Sequence, residues 1–297
     1  MKVLVTGASG YVGTVLVRRL VAEGHEVTAL DRVAPAACPD GVESVVTDIL
    51  ETDMSDLMSD ADAVVHLAAN PFVSDPNGRR DTYCTTKKLV DSAGCPKRVV
   101  FASSSAVYGE GGGVHSESDA CCPASVYGRS KLDSEAILED MDSVSLRFVN
   151  ISGGFVRHGV VHDFYRKLRK DGRSLTILGD GTQTREYLHV DDAVEAMVHC
   201  LKTGVKGVYN VGNSDPISVN CVADVVAEAM GLDGVEFVHG TEKIGWEGDV
   251  NVIRLDSTRF RLTGWSPTYG SIDSIRDAVF SLESEDRDVR NGIRACF

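Results

Sequence analysis

Val3-Leu4-Val5-Thr6-Gly7-Ala8-Ser9-Gly10-Tyr11-Val12-Gly13 opens the chain with a short β-branched run, a turn carrying three glycines, and the start of an amphipathic stretch that continues to Ala22. A strand that runs through a glycine turn into a helix aims backbone N–H groups, and the positive end of the helix dipole, at a pyrophosphate. Glycine leaves out the Cβ that would block such an approach. The same turn can also be a plain tight strand-to-helix connection, so its surroundings matter. Residues 25–30 read as a second strand, and Asp31 at its end is placed to accept both ribose hydroxyls of an adenosine and to repel a 2′-phosphate, which favours NAD over NADP. Arg32 beside it is the residue type that accommodates that phosphate, so both side chains bear on the choice.

Outward from this turn, short apolar runs at residues 3–5, 25–30, 64–67, 98–101 and 144–148 alternate with longer amphipathic stretches. Strands alternating with helices of this length predict βαβ units and a parallel sheet, and the near-continuous apolar runs predict helices on both faces. The fold class expected is α/β, a doubly wound parallel sheet with a smaller C-terminal α/β region. After about Asn150 the pattern becomes glycine-punctuated, with separate elements at 163–170, 175–178, 191–202, 208–211 and 219–230. Residues 1–150 are expected to bind the dinucleotide, with 186–212 returning to that unit as one further αβ element. Residues 151–185 and 213–297 are expected to form the substrate-binding region.

The composition is that of an ordinary globular chain: 297 residues, 43% hydrophobic, 25% charged, with 30 Lys+Arg against 44 Asp+Glu for a net charge of −14. Non-specific binding to a polynucleotide needs surplus Lys and Arg to displace counterions, so no nucleic-acid partner is expected. No apolar run reaches the length of a membrane helix, and no secretory leader is legible at the N-terminus. The eight cysteines form no Cys-x-x-Cys pair and have no histidine pair at zinc spacing, so no metal site is expected, and reduced thiols in a cytoplasmic protein are.

Tyr127-Gly128-Arg129-Ser130-Lys131 places a phenol and an amine at i and i+4, on one face of a helix. A phenol with an ordinary pKa near 10 is a poor base at neutral pH; a fixed ammonium beside it favours the phenolate. Upstream lies a strand end rich in serine, Phe101-Ala102-Ser103-Ser104-Ser105-Ala106-Val107-Tyr108-Gly109. Arg185 is suited to phosphate oxygens through its bidentate fork, or to a surface ion pair.

The Gly-x-x-Gly-x-x-Gly spacing, Thr47-Asp48-Ile49 after the third strand, His66-Leu67-Ala68-Ala69 after the fourth, the serine loop and Tyr-x-x-x-Lys together resemble the short-chain dehydrogenase/reductase superfamily. The later segments Arg147-Phe148-Val149-Asn150, Gly179-Asp180-Gly181-Thr182-Gln183-Thr184-Arg185, Gly245-Trp246-Glu247-Gly248-Asp249-Val250 and Leu262-Thr263-Gly264-Trp265-Ser266-Pro267 are similar to its extended members acting on nucleotide sugars, the UDP-glucose 4-epimerase-like group of the NAD-dependent epimerase/dehydratase family. The resemblance implies a Rossmann-type sheet and a bound NAD. It implies cofactor contacts at Gly7, Gly10, Tyr11, Val12, Gly13, Asp31, Arg32, Asp48, Ile49, Leu67, Ala68 and Ala69, as well as at Tyr127 and Lys131. It makes Ser104, Tyr127 and Lys131 catalytic, with Ser103 and Ser105 as local alternatives to Ser104. It places Ser104, Tyr127, Asn150 and Arg185 against the substrate. The implied activity is interconversion of UDP-glucose and UDP-galactose through a 4-keto sugar. A net NAD(P)-dependent reductase or dehydrogenase of a nucleotide sugar or small carbonyl is the alternative, and a non-catalytic NAD-binding protein a further one. A homodimer built on helices at 81–92 and 124–139 is also implied.

The sequence departs from that group in three places. The segment from His66 to Lys87 is shorter than usual and reads Thr82-Tyr83-Cys84-Thr85-Thr86 where the group has Asn-Val-x-Gly-Thr. Gly153-Gly154-Phe155 replaces Gly-Pro-Arg, and Ile244-Gly245 stands where an arginine often precedes the Trp-x-Gly-Asp segment. Ser105-Ala106 also lacks the carboxylates that a dehydratase or decarboxylase of this group needs in that loop.

Overall fold

In the computed structural model, which describes residues 1–70, 75, 77–92, 98–110, 113–241 and 254–290, strand and helix alternate from the first residues. The order is β1 (Lys2–Thr6), α1 (Tyr11–Ala22), β2 (Glu26–Asp31), β3 (Glu43–Val46), α2 (Ser55–Asp60), β4 (Ala63–His66), α3 (Thr85–Asp91), β5 (Val99–Ser104), β6 (Val114–His115), α4 (Val126–Leu138) and β7 (Ser143–Phe148). It continues through β8 (Asn150–Ser152), α5 (Val160–Lys170), β9 (Ser174–Ile177), β10 (Thr184–Arg185), β11 (Tyr187–His189), α6 (Val190–Thr203) and β12 (Gly207–Val211). Last come β13 (Ile217–Ser218), α7 (Val219–Ala229), β14 (Glu236–His239), β15 (Arg254–Leu255), α8 (Thr258–Arg261) and α9 (Ser271–Arg290). The 245–250 segment and the glycines at 111 and 112 lie outside the described residues.

Seven strands form one sheet in the order β12-β7-β5-β4-β1-β2-β3, and every pairing in it is parallel. Helices α1 and α6 pack together on one face, and α2, α3 and α4 lie on the other. Burial on both faces explains why β4 can be wholly buried and why its neighbours carry unbroken apolar runs. The strand order reverses between β1 and β4, which opens a crevice at their carboxyl ends. The glycine turn leaves β1 there, and Leu67-Ala68-Ala69 leaves β4 beside it.

A second apolar cluster, with Phe164, Tyr165, Leu175, Val222, Ile275 and Val279 buried in it, is built where α5, α7 and α9 pack together. A serine caps one helix of each part. Ser125 accepts from Gly128 N at 3.0 Å to start α4, and Ser218 accepts from Cys221 N at 3.1 Å to start α7. Asn150 does not end the strand before it: β7 stops at Phe148, and Asn150 opens the separate strand β8, paired in parallel with β11. No helix among the described residues is long and apolar enough to cross a membrane.

Candidate active site

The first strand delivers a turn that only glycine can make. Gly7 has φ +71°, and a Cβ there would lie 2.8 Å from Ala68 N and 2.9 Å from the Leu67 carbonyl carbon. A Cβ on Gly13 would come within 2.1 Å of the Gly7 oxygen. The turn is therefore pressed against the end of β4 and folded under the start of α1. Leu67 N donates to Thr6 O at 3.1 Å, and Ala68 N to Thr6 Oγ1 at 3.3 Å. Gly10 begins α1 with no side-chain cap, so the first turn of the helix presents its N–H groups toward the crevice. Asp31 accepts from Ser9 N at 2.9 Å and from Val33 N at 3.1 Å, which fixes its carboxylate at the mouth. A cleft runs over this turn, lined by Gly7, Gly10, Asp31, Arg32, Asp48, Ile49, Leu67, Ala68 and Ala69. Asp48 also accepts from Leu50 N at 2.9 Å within its own turn.

Four lining residues were not legible beforehand: Leu30, Thr47, Asp81 and Thr85. Tyr11, Val12 and Gly13 lie at the start of the helix rather than along the cleft wall. All three open α1 and carry its first backbone N–H groups; the Val12 side chain packs on the sheet core, Gly13 sits beneath the turn, and the Tyr11 phenol donates to Gly153 O. A cradle whose glycines exclude a Cβ, an uncapped helix start and an anchored carboxylate at the ribose position together fit a dinucleotide with a free 2′-hydroxyl.

His66 is a polar residue in an otherwise apolar buried strand, and it is satisfied from both sides. Its Nδ1 lies 2.6 Å from Thr6 Oγ1 and its Nε2 3.0 Å from Thr86 Oγ1, with the ring stacked on Phe101. Burial first, and the nearby Lys131 second, pull its pKa from an ordinary 6.5 to about 3. The imidazole is therefore neutral in the folded chain. Below about 6.5 the unfolded chain binds a proton that the folded chain does not, so this group's share of stability is complete above that pH and lost as pH falls toward 3. His66→Gln is expected to flatten the fall in unfolding free energy by up to about 1.4 kcal/mol per pH unit across this window. Urea titrations of both proteins at several pH values check it, and parallel curves would contradict it.

The serine loop resolves into distinct roles by geometry. Ser103 Oγ donates to Glu135, Ser105 is buried in a short 3₁₀ turn, and Ser104, at the end of β5, is the side chain whose hydroxyl favours the ionised form of the Tyr127 phenol. Its Oγ also accepts from Ala106 N at 3.2 Å. Tyr127 and Lys131 stand one turn apart on α4, with the Lys131 ammonium 5.7 Å from the Tyr127 ring centroid and 4.7 Å from that of Phe101. The ammonium donates to Ala102 O at 2.6 Å. Burial pulls Lys131 down to about 7 against the opposing charge of Glu135, so its proton is held loosely at neutral pH. Burial raises the Tyr127 phenol, partly offset by Ser104. The phenol is thus protonated in the protein alone, and a further positive charge beside it would be needed to ionise it.

Behind α4 runs a polar network that sequence reasoning missed. Arg147 on β7 grips Glu135 with Nε at 3.0 Å from Oε1 and Nη2 at 2.7 Å from Oε2, and both side chains are almost fully buried. Its Nη1 donates to Tyr108 Oη at 2.9 Å, and that hydroxyl donates to Asn210 Oδ1 at 2.7 Å. Glu135 stands four residues beyond Lys131, so the spacing was visible; its partner across the sheet was not.

Later in the chain, Arg185 is buried on β10 and donates to Thr184 O at 2.8 Å. Asn150 is exposed at the start of β8. Gly153, with φ +90°, lies against the His189 ring, which a Cβ would strike at 2.4 Å. Asp277 on α9 accepts from Gly154 N at 2.6 Å and lies 3.0 Å from His189 Nε2. The loop carrying the Gly153-Gly154 departure is thereby tied both to the cofactor turn, through Tyr11, and to the C-terminal helix.

The fold and the sequence are both shared with known proteins. A sequence model of the NAD dependent epimerase/dehydratase family matches residues 3–212. The UDP-glucose 4-epimerase of Mycolicibacterium smegmatis is 31% identical over 310 aligned positions, covering 94% of this chain and 97% of that one. Among solved structures, the UDP-glucuronic acid 4-epimerase from Bacillus cereus, in complex with UDP-glucuronic acid and NAD, superposes with a TM-score of 0.86 at 27% identity, covering 96% of this chain and 99% of that one. The Thermus thermophilus UDP-glucose 4-epimerase complex with NAD gives 0.85 at 29% identity, over 95% of this chain and 99% of that one. Because the family match runs from β1 to the end of β12 and takes in the glycine turn, the serine loop and the Tyr-Lys helix, the chain belongs to the NAD dependent epimerase/dehydratase family.

Proposed function

We propose that the protein is an NAD-dependent epimerase that inverts C4 of a UDP-linked sugar, with UDP-glucose and UDP-galactose as the pair, by way of a 4-keto sugar. One observation carries the reading. The Ser104–Tyr127–Lys131 group lies at the carboxyl end of β5, next to the β1/β4 crevice that the glycine turn shapes for a dinucleotide. Bound NAD supplies reversible hydride chemistry, and the chain supplies position and proton control. Gly7, Gly10 and the first N–H groups of α1 hold the pyrophosphate, and Asp31 holds the adenosine ribose. Asp48, Ile49, Leu67, Ala68 and Ala69 wall the cleft.

Tyr127 takes the proton of the sugar's 4-hydroxyl, directly or through Ser104, and returns it to the inverted product. Lys131 favours the phenolate and ties it to the nicotinamide ribose. Arg185 and Asn150 hold the diphosphate end, about which the keto sugar turns. Residues 1–150 with 186–212 form the cofactor unit in this reading, and 151–185 with 213–297 form the substrate unit. A cytoplasmic homodimer goes with it, joined through α3 and α4, where Val126 is an exposed apolar residue.

The test is incubation with UDP-glucose, UDP-galactose and UDP-glucuronic acid, followed by NMR for inversion at C4 and by absorbance for net NADH. Inversion without NADH accumulation is expected. Stoichiometric NADH would make the protein a dehydrogenase instead, and bound NAD with no inversion of any sugar would make it a non-catalytic binder.

A further inference from the structure

Arg32 rims the adenosine end of the cleft, at a position where a guanidinium ordinarily receives a 2′-phosphate. In this chain it is already engaged. Its Nη1 lies 3.3 Å from Asp81 Oδ1, with the arginine side chain 55% exposed and the aspartate only 11%. Asp81 is held in place from its own side: Asn70 Nδ2 donates to its Oδ2 at 3.3 Å, and its backbone N–H donates to Asn77 O at 2.9 Å. It lies on a π-helical turn formed by residues Arg80–Cys84 and lines the cleft. Turns of this kind recur at functional sites. Thr85 Oγ1 closes the turn by donating to Thr82 O at 2.9 Å.

We propose that Asp81 is a cofactor-selecting residue: by occupying the Arg32 guanidinium it denies that charge to a 2′-phosphate and commits the cleft to NAD over NADP. The inference rests on the NAD reading above and names a residue that reading does not use. Among the described residues that line the cleft, the carboxylates of Asp31, Asp48 and Asp81 stand against the one guanidinium of Arg32. A phosphate bearing nearly two negative charges would enter a field that is already net negative. The ribose hydroxyls of NAD face no such opposition, since the anchored Asp31 carboxylate keeps lone pairs for them.

The experiment measures Kd for NADH and NADPH on the full chain by nicotinamide fluorescence, at one ionic strength. Wild type prefers NADH. Asp81→Asn is expected to lower the Kd ratio of NADPH to NADH by about tenfold, through tighter NADPH binding, because the freed guanidinium gains a phosphate partner. Arg32→Ala alone leaves the ratio within about twofold, since that charge is already spoken for, and adding Arg32→Ala to Asp81→Asn cancels the gain. An unchanged ratio in Asp81→Asn overturns the proposal. So does a roughly tenfold loss of NADPH affinity in Arg32→Ala alone, a variant at an exposed position that decides the matter even if Asp81→Asn fails to fold. A wild-type chain that bound neither nucleotide would instead overturn the NAD reading itself, and this inference with it.

Discussion

Tyr127→Phe is expected to lower turnover by on the order of a thousandfold while NAD affinity and thermal stability stay close to wild type. The phenol oxygen is the only part lost. The ring continues to pack beside Lys131, and Ser104 keeps its bond from Ala106 N. In the proposed reading the dinucleotide is held chiefly by backbone groups of the glycine turn and by Asp31, so removing one hydroxyl leaves its binding in place. Ser104 is a poor substitute as the base, because a serine hydroxyl without an adjacent general base is a weak proton acceptor. Steady-state kinetics together with an NADH binding titration check the prediction. Turnover within threefold of wild type would remove Tyr127 from the chemistry.

Arg147→Met is expected to destabilise the fold by about 3–5 kcal/mol, because it leaves the Glu135 carboxylate buried without its counter-charge. Glu135 and Arg147 have side chains only 5% and 6% exposed, so water cannot take the lost partner's place. The companion result distinguishes this cause from simple loss of packing. Replacing both partners, Arg147→Met with Glu135→Leu, is expected to recover most of the stability, since an apolar pair of similar volume carries no desolvation cost. Denaturant unfolding of the three proteins measures both effects. A single variant within about 1 kcal/mol of wild type would show that the buried pair contributes little.

Tyr127 and Lys131 were legible in the chain because helical spacing is local: four residues bring two side chains to one face. The Gly7 turn was legible because a strand, a glycine and a helix start are adjacent in sequence. Arg147 and Glu135 were not, since β7 meets α4 across a face of the sheet, and no periodicity states which buried positions will be polar. Asp81 escaped for another reason. An α-helical reading of residues 81–92 has no place for a π turn, and Asp81 lies on one. Tyr11 shows the converse. Its place in the glycine turn says nothing of where its side chain goes, and in this fold the ring packs on the second apolar cluster and its hydroxyl reaches Gly153. Asn150 follows the apolar run of β7 closely in sequence yet begins a short strand of its own, because β11 offers it a parallel partner outside the main sheet.

The most direct test of C4 inversion through a keto sugar is to run the reaction in heavy water and read the isotope at C4. If Tyr127 handles only the hydroxyl proton, UDP-galactose formed from UDP-glucose will carry ordinary hydrogen on C4, with deuterium confined to exchangeable positions. Deuterium bound to C4 of the product would mean that the carbon itself had been deprotonated, and the roles assigned to Ser104, Tyr127 and Lys131 would be wrong.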